Sequence, residues 1–127
     1  MIYGVGTDLI EIPRIERALA RFGERFARRI LCEPELRRFR GHAKPAAYLA
    51  KRFAAKEAFT KALGTGIRAP ANWHGVWVTN LRSGKPTLEF SEPLGALLAA
   101  RGVRRAHVSL SDEREFAAAT VILECDG

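Results

Sequence analysis

The stretch PAAYLAKRFAAKEAFTKAL, residues 45–63, constrains the fold more than any other. It is built of strong helix formers, with seven alanines from Ala46 to Ala62, and Gly64 and Gly66 follow where a helix usually stops. Projected at about 100° per residue, it has two apolar faces. Tyr48, Ala55, Phe59, Ala62 and Leu63 form one; Ala46, Leu49, Ala50, Phe53 and Ala54 form the other. A helix apolar on two sides belongs in the core. Yet this one carries charge at Lys51, Arg52, Lys56, Glu57 and Lys61. Glu57 and Lys61 fall within the second apolar face, one turn apart. They read either as an i,i+4 ion pair contributing a few tenths of a kcal/mol or as an acid held partly out of water beside Phe53, in need of a cation.

The rest of the chain supplies what the helix packs against. IYGVGTDLI, β-branched and glycine-punctuated, predicts a first strand. Pro13 then fits the first turn of a helix whose Ile12, Ile15, Leu19 and Phe22 recur at three- and four-residue steps. Gly23 breaks it, ERFARRIL continues for another turn or two, and Pro34 opens a short helix. GVWVTNL and PTLEF bracket RSGK as a hairpin, EPLGALLAARG predicts a short amphipathic helix, and AHVSLSD and EFAAATVILEC a closing pair of strands. The expected fold class is α+β: one domain over residues 1–127, an antiparallel sheet packed against a long central helix.

Charge is unevenly placed. The net +7 lies wholly in residues 1–64, which hold fourteen Lys and Arg against seven Asp and Glu; the second half is balanced. A basic face of this kind attracts an acidic partner through a salt-sensitive field. Arg14, Arg17, Arg21, Arg25 and Arg28 recur at three- and four-residue steps, within roughly 80° of one another if one helix runs on past Gly23 at 3.6 residues per turn. No apolar run reaches membrane-span length, and the N-terminus lacks the basic start of a signal peptide. Cys32 and Cys125 have neither CxxC spacing nor a histidine cluster and read as idle thiols in a reducing cytoplasm.

Asp8, where the first strand turns toward the first helix, offers a second carboxylate. Alone it reads as a turn or capping residue. With Glu57 it makes a hard-oxygen pair suited to Mg²⁺, which binds one or two carboxylates and completes its shell with water and substrate phosphate. Lys61 would then face phosphate, which points to a phosphoryl or pyrophosphate substrate.

GTDLIEI, RFAAKEAFTKALGTGI, SGKP and HVSLSDE, in this order and spacing, resemble the small single-domain 4′-phosphopantetheinyl transferases, the holo-[acyl-carrier-protein] synthase family. The pattern F-x-x-K-E-x-x-x-K, from Phe53 to Lys61, is specific when the upstream Asp accompanies it. The resemblance spans essentially the whole chain and implies the phosphopantetheinyl transferase fold. It also implies Mg²⁺-dependent transfer of the phosphopantetheine arm of coenzyme A to a serine of an apo acyl carrier protein, with release of adenosine 3′,5′-bisphosphate, in support of fatty acid biosynthesis. It assigns metal ligation to Asp8 and Glu57. Glu57, directly or through a metal-bound water, becomes the base, and Lys61 steadies the leaving phosphate. Arg52, Lys61, Gly64 and His107 match nucleotide contacts; unaided, His107 would be read as structural. The arginine stripe, with Arg14, Arg21, Arg25 and Arg28, would dock an acidic carrier protein. The family also implies a homotrimer with active sites between subunits. Against an RNA-binding module, the chain has no RNP-type aromatic cluster, helix-turn-helix or zinc finger; against other nucleotide enzymes, it has neither GxxxxGK[ST] nor a strand-borne GxGxxG.

Overall fold

A computed structural model describes residues 1–127. Its elements run β1 (Ile2–Glu11), α1 (Ile12–Phe22), α2 (Glu24–Ile30), α3 (Glu33–Arg40), α4 (Pro45–Leu63), β2 (Val76–Asn80), β3 (Pro86–Phe90), α5 (Glu92–Ala100), β4 (Val103–Asp112) and β5 (Phe116–Cys125). The expected α+β architecture is present, with its strands divided between two sheets. β1, β5 and β4 form an antiparallel three-stranded sheet with β5 in the middle, and β2 and β3 a separate hairpin. Met1 and Cys125 exchange backbone hydrogen bonds, so both ends of the chain close one end of the larger sheet.

α4 lies across the inner face of that sheet and is buried on nearly every side. Leu49, Ala50, Ala54, Ala55, Ala58 and Phe59 are fully enclosed, and Tyr48, Ala62 and Leu63 nearly so. Its alanines let the backbones meet: a methyl group at Gly4 would overlap the Ala62 carbonyl, and one at Gly6 the Ala58 carbonyl. Gly64, with φ at +89°, ends the helix in the left-handed region, its N–H donating to the Thr60 carbonyl. Along β1 the side chains alternate. Gly6, Asp8 and Ile10 face α4, while Val5 and Leu9 point outward and are exposed.

The arginine stripe is not one helix face. Gly23 adopts φ 63° and ψ −150°, which separates α1 from α2, so Arg14 and Arg21 stand on one helix and Arg25 and Arg28 on another. All four remain exposed. The break expected at Gly23 is present, so the condition of one continuous helix is not met.

The close approach of β1 to α4 leaves backbone atoms no room to yield. Gly6→Ala is expected to lose stability at or above the top of the range of about 1–3 kcal/mol typical of overpacking, measured by denaturant unfolding. Gly41→Ala, where an added methyl meets nothing and φ is −103°, should stay within about 0.5 kcal/mol of the parent.

Candidate active site

Three of the sequence-predicted residues meet where β1 passes the last turns of α4. Asp8 enters from the strand; Glu57 and Lys61 come from the helix face that also carries Phe53, whose ring packs on Trp73 at 4.9 Å between centroids. Lys61 does not pair with Glu57. Its Nζ donates to the Thr7 carbonyl at 2.9 Å and lies 3.1 Å from Asp8 Oδ1. The strand therefore takes the ammonium that a bare helix would give to the residue one turn back. Glu57 is left half-buried, beside one carboxylate and one ammonium. Burial first, and then the Asp8 charge, raise its pKa above the usual glutamate value, with Lys61 opposing. Thr60, buried one turn on, turns its hydroxyl back to the Glu57 carbonyl at 3.0 Å.

Two neighbouring carboxylates, one of them half-buried, fit a hard divalent cation. No third His, Cys, Asp or Glu joins them, so such an ion would keep coordination positions for water or phosphate oxygens. The residues present fit Mg²⁺.

The remaining predicted residues lie elsewhere. Arg52 is about 140° around the helix from Glu57 and only 5% exposed. Its guanidinium stacks over the Tyr48 ring at 4.1 Å, and its Nη2 donates to Asn80 Oδ1 at 3.2 Å. Arg38 Nη1 donates to the same oxygen at 2.6 Å, and Arg52 Nε has no partner. Two cations thus share one neutral acceptor. His107 stands on the outer face of the sheet: it is paired with Ile122, which is paired with Val5, whereas Asp8 belongs to the inner face. Its Nε2 is 2.6 Å from Glu124 Oε1, and that hydrogen bond, with help from Arg105, lowers the Glu124 pKa. Gly64 is fixed as the helix stop next to Lys61. A single chain does not unite His107 with Asp8 and Glu57.

One buried pair was missed. Lys56, adjacent to Glu57 in sequence, is fully enclosed and bonded to Glu35, itself 1% exposed, at 2.7 Å. The available signal was the polar series Arg52, Lys56, Thr60 at four-residue steps, on a helix with no other reason to keep a polar row in the core.

A strand-borne aspartate and a helix-borne glutamate and lysine thus come together on an α+β scaffold whose α4 packs on an antiparallel sheet. The sequence profile of the 4′-phosphopantetheinyl transferase superfamily matches residues 4–121, and the chain belongs to that family. A holo-[acyl-carrier-protein] synthase of Laribacter hongkongensis is 54% identical over 124 residues, covering 98% of this chain and 99% of the relative. The crystal structure of the holo-[acyl-carrier-protein] synthase from Neisseria meningitidis superposes with a TM-score of 0.94 at 44% identity, covering 98% and 99% of the two chains. That of the Bacillus anthracis synthase, in complex with CoA (3′,5′-ADP), superposes with a TM-score of 0.83 at 38% identity and 99% coverage of each chain.

A carboxyl group that holds its proton more tightly folded than unfolded contributes stability below its unfolded pKa, and loses that contribution as pH rises through the folded value. For Glu57 this window opens at about the ordinary value of 4.5. In metal-free protein, Glu57→Gln should therefore raise Tm relative to the parent at pH 7 and give no advantage at pH 4. Equal melting temperatures at pH 7 would show that Glu57 bears no burial penalty.

Proposed function

We propose that this chain, acting as one transferase domain, moves the 4′-phosphopantetheine group from coenzyme A to a serine of an apo acyl carrier protein. The observation that carries this reading is the convergence of Asp8, Glu57 and Lys61 in a member of the phosphopantetheinyl transferase family. Asp8 and Glu57 would hold Mg²⁺, which supplies charge neutralisation on the pyrophosphate oxygens. The serine oxygen attacks the phosphorus on the pantetheine side. The bond from that phosphorus to the bridging oxygen breaks, and adenosine 3′,5′-bisphosphate leaves. Glu57 takes the serine proton, directly or through an intervening water. Lys61, more than half exposed, is free to leave Asp8 and to place its ammonium on the departing phosphate.

Arg52 and Arg38 are the groups best suited to a further phosphate of coenzyme A. They share Asn80 with no carboxylate between them, and Arg52 Nε is still without a partner. The site is completed by a second copy of the chain in a homotrimer. The outer sheet face supports this: Val5, Leu9 and Phe116 are 54%, 65% and 41% exposed, and His107 lies among them on the side away from its own chain's carboxylates. Gly64, exposed at the end of α4 beside Lys61, contributes backbone to the nucleotide pocket. The carrier docks through Arg14, Arg21, Arg25 and Arg28, whose charge suits an acidic partner. No helix is long and apolar enough to cross a membrane; the proposed setting is the cytoplasm, in fatty acid biosynthesis.

The direct test is to incubate the protein with apo carrier protein, coenzyme A and Mg²⁺ and to weigh the carrier. Gain of the phosphopantetheine mass is expected, and Asp8→Ala and Glu57→Ala should each abolish it while keeping the native circular dichroism. No mass gain with the parent protein overturns the reading.

Docking and chemistry separate kinetically. Reversing Arg14 and Arg21 to Glu should raise KM for the carrier by about tenfold for each ~1.4 kcal/mol of docking energy lost, with little change in kcat. Lys61→Ala should lower kcat and leave carrier affinity in place. An unchanged carrier KM in the double reversal would make the α1 arginines a solvated surface.

A further inference from the structure

The α2–α3 arm, which bears Arg25 and Arg28, places Ala27, Ile30, Leu31 and Leu36 in the core, with Phe26 and Phe39 packed against it. Apolar contact of this kind is non-directional. A polar tie adds direction to it. Lys56 Nζ, with no exposure at all, donates to the Ile30 carbonyl at the end of α2 (2.6 Å), to Glu35 Oε1 on α3 (2.7 Å) and to the Trp73 carbonyl (2.7 Å). An ammonium has three protons, and all three are used. Glu35 is equally committed. Its Oε1 also accepts from the Cys32 N–H, and its Oε2 from the Val78 N–H, both at 2.9 Å. One charge pair thus ties α2, α3, the segment before β2, and β2 itself to α4. Outside it, His74 Nε2 lies 2.8 Å from the Arg28 carbonyl and fastens the same arm to the same segment.

Stability alone is a poor reason to keep such a pair. The cost of desolvating two charges is commonly matched by an apolar replacement of the same volume, whereas a fully bonded pair has one geometry. We infer that Lys56 and Glu35, with His74 outside them, are positioning residues: they hold the carrier-docking arm at a fixed distance and angle from the catalytic end of α4, and so decide where a docked carrier presents its serine. This rests on the carrier-docking reading above.

The test uses two variants of the full chain. Lys56→Met with Glu35→Gln removes both charges together, leaving no unpaired ion in the core. His74→Phe leaves the buried pair intact and cuts only the outer tie. Both are assayed with carrier varied and coenzyme A saturating, and both are followed by amide hydrogen exchange. The double variant is expected to raise KM for the carrier about tenfold, with kcat and KM for coenzyme A within about twofold of the parent. His74→Phe, losing one hydrogen bond, should raise the same KM about two- to fivefold. Exchange should quicken across residues 24–40 and not across the middle of α4. A double variant that melts earlier but keeps the parent's carrier KM has lost only stability, and that result overturns the inference. So does a loss confined to kcat or to KM for coenzyme A. If the parent transfers nothing, the functional reading falls by itself. Hydrogen exchange still decides the positioning role: unchanged protection over residues 24–40 in the double variant overturns it.

Discussion

Gly4 and Gly6 bring β1 into direct backbone contact with α4, and the position of every residue at the candidate site follows from that contact. With no side chain between them, strand and helix meet at the Ala58 and Ala62 carbonyls. Close packing of this kind gains dispersion energy over a long shared surface and leaves no room for sliding. Asp8, two residues beyond Gly6 and on the same face of the strand, is therefore delivered to the helix turn that carries Glu57 and Lys61. A larger residue at either glycine would lift the strand and separate the two carboxylates. The site depends on two glycines that contribute no chemistry to it.

α4 also carries charges in two opposite conditions. Lys56 is enclosed, and every donor it has is used. Glu57, one residue on, is half-buried and has a carboxylate for a neighbour, and its only opposing charge is a lysine engaged elsewhere. Satisfaction separates the two roles. A charge with all its bonds made can hold structure but cannot act on anything, whereas a charge kept near another of the same sign gains by binding a cation. Arg52 stands between these cases, stacked on Tyr48 and bonded at one nitrogen but unpartnered at another.

The sheet divides the proposed machinery. Its inner face carries the carboxylates against α4, and its outer face carries His107 among exposed apolar side chains. Alternation along a strand makes this unavoidable, because neighbouring residues must point to opposite sides. In the proposed homotrimer, a second copy would bring the outer face of one chain's sheet to the carboxylates of another.

Much of this was legible in the sequence. The alanine-rich run stopped by Gly64 specifies α4 from Pro45 to Leu63, and period-two and turn signals locate all five strands, because these patterns are local. Asp8, Glu57 and Lys61 could be named because a carboxylate and an amine on an apolar helix face contradict their surroundings. Two things were not legible. Lys61 pairs with Asp8 rather than Glu57, and Lys56 finds its carboxylate on α3. Each depends on a partner that no periodicity records: Asp8 is 53 residues from Lys61, and Glu35 is 21 from Lys56. The sequence by itself determined which segments would be helix or strand and which residues were out of place there. Only the tertiary structure decided which charges meet, since an ion pair across such separations forms where packing brings the backbones together, and here that place was set by glycines and alanines.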